Sequence, residues 1–109
     1  MATAREQLKR YPARCTGSIH FHELDLSAIE SASRSANDFK KKIDEADPAF
    51  RRLDIIIGNA AIAFSPLSTL SPDGYERTFA VNCLGHFVFI TSLLGVCFGS
   101  LNSLIPAQY

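Results

Sequence analysis

Several residues have types and spacings that suggest chemistry. His20 and His22 lie two apart, so on an extended backbone they share a face, with Cys15 nearby as a third potential metal ligand. A zinc site needs three or four ligands at a recognisable spacing. None is apparent, and no metal site is expected. Asn82 and His86 lie one helical turn apart in a run without Asp, Glu, Lys or Arg from Phe79 to Ile105. A polar amide in such surroundings needs a hydrogen-bond partner, which another helix could supply. His86 reads as a packed or capping histidine rather than a base. The small-residue run Gly58-Asn59-Ala60-Ala61 follows a short apolar stretch and lets the backbone come close to something. Read alone, Asp25 satisfies local N–H groups ahead of a helix, and Asn59 is a turn residue in a left-handed conformation. Cys83 and Cys97 read as buried apolar fillers rather than nucleophiles.

Composition narrows the classes. The 109 residues are 47% hydrophobic and 20% charged, the balance of a folded chain rather than a disordered one. Eleven basic residues offset eleven acidic ones, which disfavours binding to nucleic acid or to anionic lipid. Three cysteines without a C-x-x-C pair point to reduced intracellular thiols. Residues 1–11 lack the apolar stretch of a signal peptide, so a cytoplasmic location is expected.

The elements that must position these residues alternate between helix and strand. Residues 4–10 read as a helix end stopped by Tyr11-Pro12, and Thr16-Gly17 as a turn. Residues 18–24 alternate as a strand does. Ser27-Ala28-Ile29-Glu30 fits a capping box, in which each side chain takes a backbone N–H of the other residue. The helix that follows places Ile29, Ala32, Ala36, Phe39 and Ile43 on one apolar face and ends at Asp47-Pro48. Lys40, Lys41 and Lys42 near its C-terminal end complement the helix dipole and read as a solvated face. Residues 53–57 are a β-branched apolar run suited to a buried parallel strand. Residues 65–71 form a loop. Ser71 is then a plausible N-cap, with Pro72 opening a long helix to about Leu94.

Three blocks together resemble the short-chain dehydrogenase/reductase family, over residues 1–94. They are Glu23-Leu24-Asp25-Leu26-Ser27, then Leu53-Asp54-Ile55-Ile56-Ile57-Gly58-Asn59-Ala60-Ala61, then Phe79-Ala80-Val81-Asn82-Cys83-Leu84-Gly85-His86-Phe87. The pattern Asn-x-Leu-Gly-His-Phe is similar to the retinol-dehydrogenase-like branch. The resemblance implies an α/β fold, here a partial Rossmann-like, doubly wound parallel sheet lacking the first, second and later strands. It implies NADP or NAD as cofactor and hydride transfer to or from an alcohol or carbonyl. It assigns Asp25 and the Leu26 backbone to the adenine, and Asn59, Ala60 and Ala61 to the turn beneath the ribose. Ala61 stands where the family usually has Gly, so a methyl crowds that approach. Asn82 falls at the proton-relay position, where the backbone carbonyl holds a water. The long helix often forms a subunit interface in the family, so a homo- or hetero-oligomer through Phe79, Leu84 and Phe87 is an expected alternative role. A membrane span over 79–105 is long enough but is disfavoured by Asn82, His86 and Asn102.

The same resemblance exposes gaps. No Gly-rich phosphate turn occurs near the N-terminus, where the first glycine is Gly17. No Tyr-x-x-x-Lys follows Asn82: the only later Tyr is Tyr109, and the last Lys is Lys42. The sequence therefore reads as the middle of a longer domain, truncated at both ends and inactive alone. Residues 95–109 diverge from the family, as a replaced C-terminus would. In a 3-2-1-4-5-6 sheet the strands before Asp25 and Asn59 are third and fourth. Without the two between them, a gap of roughly 14 Å separates them. They must either pair directly or stay apart with open edges. Each buried unpaired amide costs about 1–3 kcal/mol, against a net domain stability of about 5–15 kcal/mol, so marginal stability is expected.

Overall fold

The structure, a computed structural model, describes residues 20–47, 51–63, 66 and 69–102. The expected helix end at 4–10, the turn at Thr16-Gly17, Cys15 and Pro48 lie outside the described residues, as does part of the 65–71 loop. The described elements are helix α1 (Ile29–Glu45), a short helix α2 (Arg77–Phe79), a π-helical segment (Ala80–Gly85) and helix α3 (His86–Asn102). The last three run on without a break, and α1 packs against α3 and the π-helical segment.

α1 forms where the apolar spacing places it. Ala32 and Ala36 are fully buried, while Ile29, Phe39 and Ile43 are half-buried on the same side. Leu26, Ala80, Val81 and Leu93 complete the core. Its start is capped differently from the expectation. The N-cap is Ala28, which has no side-chain acceptor. The Ser27 N–H donates to Asp25 Oδ1 at 2.8 Å, so the N–H that Glu30 would have taken already has a partner. The capping box therefore does not form. The Ile29 N–H donates instead to Asp73 Oδ2 at 2.8 Å, from 44 residues away. Asp73 thus places a carboxylate at the positive end of α1. Asp73→Ala should destabilise α1 by about 1 kcal/mol, seen as faster amide exchange over Ile29 to Ala32 with α3 unchanged.

The second helix also starts later than expected. Ser71 and Pro72 do not open it. The Ser71 N–H donates to the Tyr75 carbonyl at 2.7 Å and the Gly74 N–H to the Ser71 carbonyl at 3.0 Å. Ser71 Oγ accepts from the Tyr75 N–H at 3.3 Å. Gly74 has φ +82°, a conformation that no helix can run through. The helix begins only at Arg77, where the Glu76 carboxylate accepts from the N–H groups of Thr78 (2.8 Å) and Phe79 (2.7 Å). These bonds hold the Glu76 carboxyl below the usual carboxylate range. A depressed folded-state pKa stabilises the cap above the unfolded value and loses that effect as pH falls through the folded one. The Thr78 and Phe79 amides should stay protected across the neutral range and lose protection only in acid below the ordinary glutamate range. At its far end the helix passes Leu94 and continues to Asn102.

Of the two segments expected as strands, residues 20–24 (18 and 19 lie outside the described residues) and 53–57 carry no ladder, and the described residues contain only one isolated antiparallel bridge, Leu70 to Glu76. Strands exist through the hydrogen bonds of a neighbour, and these two segments are not neighbours in the expected order. They stay apart, with an apolar cleft lined by Leu24, Phe39, Ile55, Phe89 and Leu93. Ile55 and Ile57 are left 74% and 81% exposed.

Side chains hold the first segment in place of a ladder. His22 Nε2 lies 2.9 Å from both the carbonyl and the hydroxyl of Ser35, and Nδ1 lies 3.0 Å from Lys42 Nζ. The carbonyl only accepts and the ammonium only donates, so Nε2 carries the proton and Nδ1 accepts. Ser35 Oγ donates to the Glu23 carbonyl at 2.6 Å, and the His22 ring packs edge-on to Phe39 at 5.3 Å. Both His22 nitrogens are thus engaged by α1. Among the described residues, no group of three or more His, Cys, Asp or Glu is placed to hold a metal ion.

Candidate functional site

One stretch of helix, Asn82 to His86, meets both segments that carry predicted site residues. Asn82 Oδ1 accepts from the Ile62 N–H and its Nδ2 donates to the Ile62 carbonyl, each at 2.9 Å. The amide thus closes a two-way bond on one backbone residue, answering the need for a partner with a loop rather than another helix. His86 Nε2 lies 2.7 Å from the Ala60 carbonyl. On the other side, Gly85 meets Leu26: a Cβ on Gly85 would overlap the Leu26 carbonyl oxygen and come within 2.9 Å of its Cα and Cβ.

The π-helical turn helps explain how the helix reaches both segments. Extra residues per turn widen the helix locally, and such turns are frequent at functional sites. Asn82 and Gly85 lie inside it and His86 follows it. Leu26 is buried, and Gly85 fixes its backbone beside the exposed Asp25. Asn59, Ala60 and Ala61 are also exposed, on the segment that Asn82 and His86 hold.

The Asp25 carboxylate is poised as an acceptor. Its pKa lies below the usual range, chiefly because the Ser27 N–H donates to it, helped by the Ser27 hydroxyl and more weakly by the Arg77 charge. It is therefore ionised at neutral pH.

An ionised, exposed carboxylate can accept a hydrogen bond from another molecule, and Ala60 and Ala61 put only small side chains on the exposed surface of their segment. The positive-φ glycine among the described residues, Gly74, has its N–H bonded to Ser71 in the turn before α2. Sequence reasoning named Asp25, Asn59 and Asn82 as candidates and gave no role to Gly85, Ile62 or Asp73. For Gly85 the available signal was a glycine inside a helical pattern, which a close backbone contact explains.

A sequence profile of the short chain dehydrogenase family matches residues 2–97, and the chain belongs to that family of oxidoreductases. Members of the family carry a Rossmann-like fold and generally use NAD(P). The chain is 36% identical over 94 residues to retinol dehydrogenase 14 of Mus musculus, covering 86% of this chain and 26% of that protein. It is 37% identical over 89 residues to retinol dehydrogenase 14 of Homo sapiens, covering 82% and 24%. It is 33% identical over 91 residues to a probable oxidoreductase of Streptomyces lividans, covering 84% and 27%. The chain thus spans about a quarter of the length of these relatives. No solved structure matches it.

Proposed function

We propose that this chain is the adenosine-side and central-helix portion of a cytoplasmic NAD(P)-dependent oxidoreductase acting on an alcohol or carbonyl. The observation that carries this reading is the convergence of Leu26, Ala60 and Ile62 on the single helical stretch Asn82–His86. Asp25 would take the adenine amino group, the Leu26 backbone would lie beside it, and Asn59, Ala60 and Ala61 would face the ribose. The bound nicotinamide would supply the hydride acceptor or donor. With its side-chain amide engaged on Ile62, Asn82 is held so that its backbone carbonyl can order a water for proton relay. The names of the relatives point the substrate class toward an alcohol of the retinol type.

No Tyr is followed four residues later by Lys anywhere in the 109 residues. The acid–base step therefore has no proton donor of the family's kind in this chain. Incubated with NADH or NADPH and a panel of aldehydes and ketones, the polypeptide should show no nicotinamide oxidation above the protein-free rate; turnover would contradict the reading.

A second reading rests on the exposed side of the long helix. Phe79 (50% exposed), Cys83, Phe87 (66%) and Leu94 (39%) recur at helical spacing and leave an apolar stripe in water. We infer that it could pair this chain with a full-length relative or a second copy. Co-purification with such a relative, abolished by Phe87→Glu, would support this; recovery alone under all conditions would oppose it. The stretch Arg77–Cys97 is also long and apolar enough to cross a membrane by length and composition. Its Asn82 and His86 bonds to loop backbone favour packing within a fold instead. Release into the supernatant on sodium carbonate extraction is the expected outcome.

A further inference from the structure

We propose that His86 is the positioning residue for the nucleotide-facing turn Asn59-Ala60-Ala61. This inference rests on the nucleotide reading above and assigns a role to a side chain that the reading leaves idle. His86 follows the π-helical turn, and its Nε2 lies 2.7 Å from the Ala60 carbonyl oxygen. A carbonyl oxygen only accepts, so Nε2 carries a proton and donates. The bond joins residues 26 apart in sequence, so it ties the loop to the helix rather than closing a local turn.

Two further features make this contact specific. Gly58 leaves room for the ring: a Cβ there would lie 3.1 Å from His86 Nδ1 and 3.4 Å from Ile90 Cδ1. The imidazole therefore lies against the backbone of residue 58 while its far nitrogen reaches residue 60. Asn82, one helical turn earlier, fixes Ile62 through its paired bonds. His86 and Asn82 thus hold the backbone on either side of Ala61. With no strand ladder among the described residues on this segment, these side chains set the attitude of the exposed Asn59–Ala61 surface. Fixing that surface in advance lowers the ordering cost that a ligand would otherwise meet.

The test uses the full chain, labelled with ¹⁵N and ¹³C, as wild type, His86→Phe and His86→Gln. Phe keeps a ring without a donor. Gln offers an amide N–H at a reach close to that of Nε2. In wild type, Nε2 should be protonated and show a through-hydrogen-bond coupling to the Ala60 carbonyl carbon. The Ile62 amide, bonded to Asn82 Oδ1, should exchange about tenfold more slowly than in His86→Phe, the size of effect expected for one hydrogen bond. His86→Gln should restore most of that protection, while the amides of α3 beyond Ile90 match in all three. Shift changes at Asn59–Ala61 with millimolar NADH should weaken several-fold in His86→Phe and recover in His86→Gln. An unprotonated Nε2, wild-type-like protection in His86→Phe, no rescue by Gln, or an equal loss of protection along α3 would each overturn the assignment. Intact protection at Ile62 with no NADH response at Asp25 or Asn59 would instead overturn the nucleotide reading, and the two failures are separable.

Discussion

Gly85→Ala should destabilise the chain, although substitution of glycine by alanine inside a helix ordinarily stabilises it. Alanine exceeds glycine in helix propensity by about 0.8–1.0 kcal/mol. At position 85, however, the added methyl meets the Leu26 backbone at a separation that real Cβ atoms do not show. Backbone is not a flexible side-chain end, so the helix must move away from Leu26 or the 25–27 segment must shift. Overpacking of this kind costs about 1–3 kcal/mol, enough to reverse the propensity gain. Gly95→Ala is the matched control. Gly95 lies in α3 with nothing within 4 Å of a would-be Cβ, so it should follow propensity and stabilise. Opposite signs for the two variants, read from urea melts followed at 222 nm, are the expected result. Two changes of the same sign would contradict the Leu26–Gly85 contact. Gly85→Val, with two more methyl groups, should abolish cooperative unfolding.

Asn82→Leu should show the next largest effect. It keeps the side-chain size close but leaves the Ile62 N–H and C=O without their partner. An orphaned buried polar group costs about 1–3 kcal/mol. These two are half-buried, so water recovers part of it and a net loss of about 2 kcal/mol is expected. Amide exchange should speed up at Ile62 and its neighbours, while α1 keeps its protection. Protection at Ile62 equal to wild type would show that Asn82 does not hold the loop. If the loop is freed, the Asn59-Ala60-Ala61 surface loses its order with it, and any nucleotide response should fall.

Much of the helical framework was legible in the sequence, because helix signals are local. The 3.6-residue spacing from Ile29 to Ile43 places α1 and its inward face. The Asn82–Phe87 block marks the helix that organises the site. What was not legible depends on residues distant in the chain. Asp73 caps α1 from 44 residues away, while the local capping-box pattern fails because Asp25 takes the Ser27 N–H first. Gly74 and Glu76 move the helix start past Ser71-Pro72, since a left-handed residue interrupts what propensity would continue. The β-branched run at 53–57 reads as a strand, yet a strand needs a neighbour, and apolar pattern alone does not provide one. The helix passes Leu94, where the sequence reading ended it, and continues to Asn102.

The site follows the same division. Residue types identified Asp25, Asn59 and Asn82 as candidates. The helix meets their segments through Gly85, whose value lies in having no side chain, and through Ile62, which contributes only backbone. Gly85 shows as a glycine inside a helical pattern, whereas the role of Ile62 leaves no signature at the level of residue type.

In the function proposed above, the chain contacts a dinucleotide through its adenosine side alone. Isothermal titration of the purified chain with NADH and with NADPH tests it most directly. The expected result is binding no tighter than about 1 mM, equivalent to roughly −4 kcal/mol, with Asp25→Ala weakening it further. Micromolar capture of either dinucleotide by the monomeric chain would contradict the account.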